Sequence, residues 1–355
     1  MVGGVTELDL HGMNTYQAQI AIDAALRRCG GGVYRLRVIH GYRGGTAIRD
    51  MLWTVYNKRS QVKRMVSISE GVTDLVLREV SEVAMELKIA QIQMPVTADR
   101  AENIRRACDM VRQAGDIDMA VLPEMFCCPY DNACFRPYGG EEGGPAWQAL
   151  SALAKERGIW LVGGTMPELA AGRVYNTCYV FAPDGQMAAK HRKVHLFDID
   201  VTGGQRFMES ETLTAGDSVT TFDTPWGTVG VCVCFDFRFT ELSELMVLAG
   251  AKLIVVPAAF NMTTGPAHWE LLFRQRAVDG QCYTVGTSPA RDTAAGYVAW
   301  GHSIVCDPWG TVVHQCDETP QVAVTTLDME RVEAIRRQLP ILSARRTDVY
   351  ELRRR

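Results

Sequence analysis

Three side chains suited to acid–base and nucleophilic chemistry stand at the ends of apolar runs: Glu124, Lys193 and Cys234. Glu124 closes the run AVLPE, so we expect a half-buried carboxylate whose pKa is raised by burial. Lys193 follows a predicted hairpin strand and would supply a cation. Taken singly, a capped carboxylate and a solvated lysine are the more ordinary interpretations. Taken together, a base, a cation for a developing oxyanion and a thiol nucleophile meet the needs of acyl transfer from an amide.

Cys234 lies between a predicted buried strand at residues 229–233 and a predicted helix. The start of a helix would turn backbone N–H groups toward the thiol, and this field favours the thiolate, which is the nucleophilic form. Cys232 lies on the same face of an alternating strand, so spacing leaves both cysteines open as the nucleophile. A buried structural cysteine is the other interpretation.

Alternating strand and helix patterns must position these residues. From residue 87 onward the pattern predicts helices at 98–113, 145–157 and 267–279, interleaved with short apolar strands. Hairpin signals flank Pro183-Asp184-Gly185 and Asp307-Pro308-Trp309-Gly310. This alternation predicts a layered α/β fold with mixed sheets. A smaller α/β unit precedes it, with helices at 15–28 and 46–57, so we place the domains at 1–82 and 83–355.

The composition narrows the class of protein. A chain of 355 residues is long enough for two domains, and no apolar segment has the length of a membrane span. The N-terminus has neither a basic n-region nor an apolar h-region, so we expect a cytoplasmic protein with no membrane partner. The 11 cysteines are scattered without a C-x-x-C pair, which predicts free thiols. The 7 histidines show no zinc spacing, so we expect no metal and no cofactor.

The charge is unevenly distributed along the chain. Residues 1–80 carry 11 Lys and Arg against 7 Asp and Glu, whereas the remainder carries 26 against 34. This asymmetry indicates two modules with different partners. Two predicted strands of the first module end in His-Gly, at His11 and His40, and in a parallel arrangement both would lie on the ligand-binding edge of the sheet.

The first module resembles the Smr (small MutS-related) domain. The resemblance lies in Leu8-Asp9-Leu10-His11-Gly12 and Ile39-His40-Gly41, and it covers about 75 residues. It implies binding or nicking of nucleic acid through residues 5–80, which suits the basic balance of this module. The segment Glu70-Gly71-Val72-Thr73 departs from the glycine-rich run of the family. The alternative is a folded appendage whose histidines hydrogen-bond locally.

Residues 87–355 resemble the nitrilase (carbon–nitrogen hydrolase) superfamily along nearly their whole length. The matching motifs are Leu122-Pro123-Glu124, Arg192-Lys193-Val194-His195-Leu196-Phe197-Asp198 and Cys234-Phe235-Asp236-Phe237-Arg238-Phe239, in the family's order. The resemblance implies an αββα four-layer sandwich that pairs into homodimers or larger homo-oligomers. It also implies that Cys234, and not Cys232, is the nucleophile.

The same resemblance implies the roles of the other site residues. Glu124 would be the general base, Lys193 the stabiliser of the transition state, and Glu209 in Phe207-Met208-Glu209-Ser210 the glutamate that positions them. The backbone N–H of Phe235 would join Lys193 at the oxyanion. We expect further substrate contacts from four side chains near the motifs, with Arg291 binding a distal carboxylate: Tyr130, Phe260, Thr264 and Arg291.

Within the superfamily the chain is most similar to the omega-amidase branch, on residues such as His195-Leu196-Phe197-Asp198-Ile199-Asp200 and Tyr297-Val298-Ala299-Trp300-Gly301-His302-Ser303. Members of that branch hydrolyse the terminal amide of 2-oxoglutaramate and 2-oxosuccinamate. Two alternatives stay open. One is another amidase or an N-carbamoyl hydrolase of the same superfamily, and the other is a nucleic-acid-binding protein that acts through its first module.

Overall fold

The computed structural model describes residues 5–29, 35–41, 45–77 and 85–354. The chain divides into two compact units, Met1–Ala84 and Met85–Arg355. The predicted boundary after residue 82 lies outside the described residues and stays a prediction. Within the part of the chain that the structure describes, no helix is both long and apolar enough to cross a membrane.

Among its described residues, the first unit contains a four-stranded sheet in the order β1-β2-β4-β3 and two α-helices. β1 and β2 are parallel, which is the arrangement considered above for the two His-Gly strand ends, and the other two pairs are antiparallel. The core includes Ile22, Leu36 and Leu52. The elements are β1 Val5–Asp9, α1 Thr15–Arg28, β2 Arg35–Ile39, α2 Ala47–Val55, β3 Arg64–Ser69 and β4 Val72–Val76.

The second unit alternates strands and helices as the sequence predicts. Its strands are β5 Glu86–Gln93, β6 Met119–Val121, β7 Trp160–Val162, β8 Met166–Ala170, β9 Arg173–Phe181, β10 Met187–Arg192, β11 Asp198–Asp200, β12 Arg206–Met208, β13 Thr220–Thr224, β14 Gly227–Val231, β15 Ala251–Pro257, β16 Tyr283–Thr287, β17 Ile304–Cys306, β18 Val312–Gln315 and β19 Gln321–Asp328. Its helices are α3 Arg100–Gln113, α4 Asn132–Phe135, α5 Pro145–Arg157, α6 Thr240–Leu248, α7 Gly265–Gly280 and α8 Glu330–Gln338.

Two large sheets form the centre of this unit. One has the order β10-β9-β7-β6-β5-β19, with β8 paired to β9, and the other runs in sequence order from β13 to β18. Their inner faces share one apolar core that includes Val121 and Val255. The Gln91 side chain crosses this core and donates to the carbonyls of Gly286 and Ile304 in the other sheet, at 2.7 and 3.2 Å.

Helices cover the outer faces of both sheets. Val111 of α3 and Leu150 of α5 pack with Ile92 and Leu122 on the first sheet. Met246 of α6 and Phe273 of α7 pack on the second sheet. The order of layers is therefore helix, sheet, sheet, helix, and the predicted αββα sandwich is confirmed. Glu124 follows β6, Lys193 follows β10 and Cys234 follows β14, so all three lie at strand ends.

Candidate active site

Three fully buried polar side chains and the partly buried Tyr130 meet in a cluster beyond these strand ends. The Lys193 ammonium lies 2.9 Å from Glu124 Oε1 and 3.0 Å from Glu209 Oε1, and all three residues are 0 % exposed. The Tyr130 hydroxyl donates to Glu209 Oε1 at 2.5 Å and lies 3.2 Å from Glu124 Oε1. The backbone N–H of Phe197 donates to Glu209 Oε2 at 2.7 Å, which fixes that carboxylate from the other side.

Burial and the neighbouring charges of the cluster shift the pKa values of Lys193 and Glu124. Burial lowers the pKa of Lys193, but the carboxylates of Glu124 and then Glu209 outweigh it, so the pKa lies well above its ordinary value. Lys193 is therefore a permanent cation. Burial raises the pKa of Glu124, and Lys193 only partly opposes this rise. Glu124 Oε2 is buried and meets no hydrogen-bond partner among the described residues, so one oxygen of this carboxylate is free to take a proton.

The surroundings of Cys234 differ from the prediction. β14 ends at Val231, and a five-residue 3₁₀-helix from Cys234 to Arg238 precedes α6, so the thiol does not lie at the start of an α-helix. Cys234 is 4 % exposed and has a φ of +46°, in the left-handed region that costs energy for a residue with a Cβ. Burial and then the Glu124 carboxylate raise the pKa of this thiol well above its ordinary value. The prediction that the position favours thiolate was wrong for the resting site.

Cys232 has different neighbours from Cys234. It is fully buried, and after burial the groups with the largest influence on its pKa are Asp236, Cys234, Arg276 and Cys178, whereas for Cys234 they are Glu124 and Lys193. The structure therefore separates two cysteines that strand alternation had left equivalent.

Hydrogen bonds to the Asp236 carboxylate connect the segment around Cys234 to the segment that follows Lys193. Its carboxylate accepts from the backbone N–H of Val233 at 3.1 Å and from that of His195 at 2.7 Å. His191 and His195 also donate to it through their rings, at 3.0 and 2.8 Å. Burial would raise the pKa of Asp236, but the hydrogen bonds from the two histidines hold it well below its ordinary value. Asp236 is therefore ionised and orients both segments.

A cavity of about 110 Å³ opens beside Glu124. Tyr130, Tyr297 and Cys128 line it, together with the exposed Asp131 and Asp292. Because Glu124 also belongs to the buried cluster, a substrate in this cavity would meet the cluster directly.

Only some of the side chains that were predicted to contact the substrate lie at the cavity. Tyr130 lies in the cluster and lines the cavity. The Phe235 ring lies edge-on to Phe197 at 5.2 Å, next to the nucleophile, and Phe260 is buried against Trp269. Phe260, Thr264 and Arg291 do not line the cavity.

Thr264 and Arg291 are engaged elsewhere. The Thr264 hydroxyl donates to Asn261 at 3.0 Å. The Arg291 guanidinium donates to the Trp300 carbonyl at 2.8 Å and lies over the Trp300 ring. This geometry does not support the predicted roles of these two side chains in binding substrate.

Sequence reasoning did not single out Arg238 or Tyr297. The Arg238 guanidinium lies over the Phe260 ring at 4.8 Å and 3.1 Å from His268 Nδ1, and it pairs with no carboxylate among the described residues. Burial lowers the pKa of Arg238, and Cys234 is the charged neighbour that most opposes this. Arg238 lies four residues after Cys234, in the same short 3₁₀-helix. This position is the signal that could have identified it.

The first unit has a cleft where β1 and β2 end. His11, Asn14 and His40 line it. His11 Nδ1 lies 2.6 Å from Asp9 Oδ1, and His40 Nε2 lies 3.0 Å from Thr73 Oγ1. Both histidines thus lie at one edge of the sheet, as predicted, and both hydrogen-bond locally.

Comparison with known proteins assigns families to both units. Residues 88–337 match the family model described as "Carbon-nitrogen hydrolase", and residues 8–71 match the Smr domain. Omega-amidase NIT2 of Mus musculus is 49% identical over 265 residues, which is 74% of this chain and 96% of the mouse protein. Omega-amidase NIT2-A of Xenopus laevis is 47% identical over 269 residues, or 75% of this chain and 98% of the relative.

A solved structure shows the same fold. The crystal structure of Saccharomyces cerevisiae Nit3, a member of branch 10 of the nitrilase superfamily, has 41% identity and a TM-score of 0.68. The similarity covers 74% of this chain and 97% of that chain.

Proposed function

Because the chain belongs to the carbon–nitrogen hydrolase family, with an Smr domain before it, and is thus a hydrolase of amide carbon–nitrogen bonds, we propose that it acts on small dicarboxylic acid monoamides. The substrates are 2-oxoglutaramate and 2-oxosuccinamate, which yield a 2-oxo acid and ammonia. The observation that carries this proposal is the buried Glu124–Lys193–Glu209 cluster beside Cys234 and a small cavity. The omega-amidase relatives support the choice of substrate.

The first half of the reaction forms a thioester. Glu124 Oε2 takes the proton of the Cys234 thiol, and the sulfur attacks the amide carbon. The oxygen of the former carbonyl becomes an oxyanion, stabilised by the Lys193 ammonium and the backbone N–H of Phe235, each contact contributing about 3–4 kcal/mol. The carbon–nitrogen bond then breaks, and the nitrogen takes the proton from Glu124 and leaves as ammonia.

The second half hydrolyses the thioester. Glu124, again ionised, takes a proton from water, and the hydroxide attacks the thioester carbon. The carbon–sulfur bond breaks, the 2-oxo acid leaves and the sulfur recovers its proton from Glu124. Glu209 and Tyr130 keep Lys193 and Glu124 in place and do not exchange protons with the substrate.

Arg238, rather than Arg291, is the side chain we assign to the distal carboxylate. It is a half-buried cation without an acidic partner among the described residues, and Cys234 and Tyr297 influence its pKa. Like Arg291, it does not itself line the cavity beside Glu124. A buried unpaired cation is unfavourable, so an anionic group of the substrate that reaches it would be bound strongly.

The experiment measures ammonia release from 2-oxoglutaramate and from levulinamide, in which a methyl group replaces the carboxylate. We expect Arg238→Met to lower kcat/KM for 2-oxoglutaramate about 100-fold, mainly through KM, because a charged hydrogen bond is lost. Activity on levulinamide should change little. Arg274→Met is the matched control, since Arg274 is an exposed arginine of α7 paired with Glu270. Equal losses on both substrates would argue against this assignment, and no release from 2-oxoglutaramate by the unaltered enzyme would exclude that substrate.

One observation favours a different class of substrate for this hydrolase. Asp131 and Asp292 line the cavity, and their carboxylates would repel the carboxylate of an anionic substrate. Neutral amides or N-carbamoyl compounds avoid this repulsion. A panel of neutral amides, carbamoyl compounds and dicarboxylic monoamides at equal concentration would rank these classes by ammonia release.

Nucleic-acid binding is the second candidate function, in the first unit. The exposed His11–Asp9 pair and the cleft at the ends of β1 and β2 favour it, as does the positive balance of residues 1–80. We propose that this cleft contacts the phosphate backbone, with His11 as a donor.

Fluorescence anisotropy of the full chain with labelled single-stranded and duplex oligonucleotides tests this proposal. We expect affinity to fall steeply with salt, because phosphate contacts release counterions. His11→Ala should weaken binding severalfold, whereas His314→Ala in the second unit should not. Absence of binding at low salt would leave the folded appendage as the better interpretation.

A further inference from the structure

Tyr297 lies beside the buried cluster. Its ring stacks on the Tyr130 ring, with centroids 4.4 Å apart and planes at 27°. Its hydroxyl donates to the Ala259 carbonyl at 2.5 Å. Tyr130 in turn donates to Glu209 and contacts Glu124 and Lys193, so one aromatic ring supports the side chain that holds all three.

The segment after β15 faces the nucleophile and is held by the loop that carries Tyr297. The Ala259 backbone N–H is close enough to Cys234 to lower the pKa of the thiol, against the effect of burial. Besides the Tyr297 hydroxyl, the loop contacts this segment through the Trp300 N–H, which donates to the Phe260 carbonyl at 2.6 Å, and through a β-bridge between Asn261 and Ala299. Of these contacts only the Tyr297 hydroxyl reaches the Ala259 carbonyl.

We propose that Tyr297 is a positioning residue for hydrolysis: its hydroxyl binds the Ala259 carbonyl and so fixes the backbone of Ala259 beside Cys234, while its ring holds Tyr130 against the two glutamates. It also lines the cavity, as do Glu124 and Ala259, so a bound substrate would contact Tyr297. A donor held fixed at the sulfur stabilises the thiolate as it forms, and a donor free to move does so less. This inference rests on Cys234 being the nucleophile of the proposed reaction.

Tyr297→Phe removes the hydroxyl and keeps the stacked ring. We expect kcat for 2-oxoglutaramate to fall about tenfold with little change in KM. In the substrate-free enzyme, the pH at which iodoacetamide labels Cys234 at half its maximal rate should move upward by about one unit, since the thiolate loses support. Labelling is read for each cysteine separately by peptide mass spectrometry. Tyr297→Leu, which also removes the stacked ring, should lower kcat further.

Tyr283→Phe is the matched control, because the Tyr283 hydroxyl also donates to a carbonyl, that of Asp328, and Tyr283 does not line the cavity. It should leave kcat and the Cys234 profile unchanged. The inference is overturned if Tyr297→Phe behaves like the unaltered enzyme, or if Tyr283→Phe shows the same loss. It is also overturned if Cys128, which lines the same cavity, gains reactivity in parallel with Cys234, since this would indicate a loosened site. Because labelling needs no substrate, a shifted profile in an enzyme inactive on 2-oxoglutaramate would refute the substrate and retain the role of Tyr297.

Discussion

Cys234→Ala is expected to lower kcat for amide hydrolysis by about 10⁴-fold or more, because the covalent route through a thioester is lost entirely. The rest of the site should persist, since the Glu124–Lys193–Glu209 hydrogen bonds do not involve the sulfur. Ammonia release with 2-oxoglutaramate measures the effect. A mass increase equal to the acyl group, trapped on the unaltered enzyme by rapid acid quenching, would identify the thioester.

Cys232→Ala is the matched control for this substitution. Cys232 is two residues away and also buried, but Glu124 and Lys193 are not among the groups with the largest influence on its pKa. We expect its activity to stay within about threefold of the unaltered enzyme, with a modest loss of stability from the small cavity left behind. Activity retained by Cys234→Ala and lost by Cys232→Ala would show that the nucleophile is misassigned.

Glu124→Gln is expected to lower kcat/KM about 1,000-fold, because the amide cannot accept the thiol proton. In the unaltered enzyme the reaction needs Glu124 ionised. Its pKa is raised by burial, so kcat/KM should fall as the pH drops through a value above that of an ordinary glutamate. This acid limb should disappear in Glu124→Gln, which is neutral at every pH. The pH profile of kcat/KM measures both effects.

Glu168→Gln separates this effect from the loss of any buried carboxylate. Glu168 is buried on β8 and accepts two hydrogen bonds of 2.8 Å from Arg192. Burial alone would raise its pKa, but the hydrogen bonds of Arg192, Lys190 and Thr177 lower it to about 2. The variant should lose stability and keep the acid limb. An acid limb that survives in Glu124→Gln would mean that another group is the base.

Local sequence signals were sufficient for much of the fold. The helix predicted at 15–28 is α1, because Asn14 and Gln17 form a reciprocal cap at its first turn. The helix predicted at 145–157 is α5, with a proline in its first turn and Gly158 in the left-handed conformation at its end. Both ends are set by residues within a few positions of the helix, so neither depends on the rest of the chain.

The interior of the site depends on distant residues. Lys193 alone suggests a solvated lysine, and its complete burial follows from carboxylates 69 and 16 residues away along the chain. The short 3₁₀-helix that begins at Cys234 contains Asp236, and the Asp236 carboxylate also accepts a hydrogen bond from the backbone of the lysine segment, at His195. Family resemblance placed these residues in one site, whereas periodicity could not give their burial or the direction of their pKa shifts.

The raised pKa of the Cys234 thiol has a consequence for oxidative chemistry. Hydrogen peroxide oxidises thiolates to sulfenic acid, and it reacts far more slowly with neutral thiols. In the resting enzyme the sulfur of Cys234 is protonated, buried and next to the Glu124 carboxylate. Oxidation by peroxide is therefore slow, because the sulfur is not a thiolate and because the oxidant cannot easily reach it. In the proposed mechanism, the burial that makes Cys234 depend on Glu124 for activation thereby also preserves it as a thiol between turnovers.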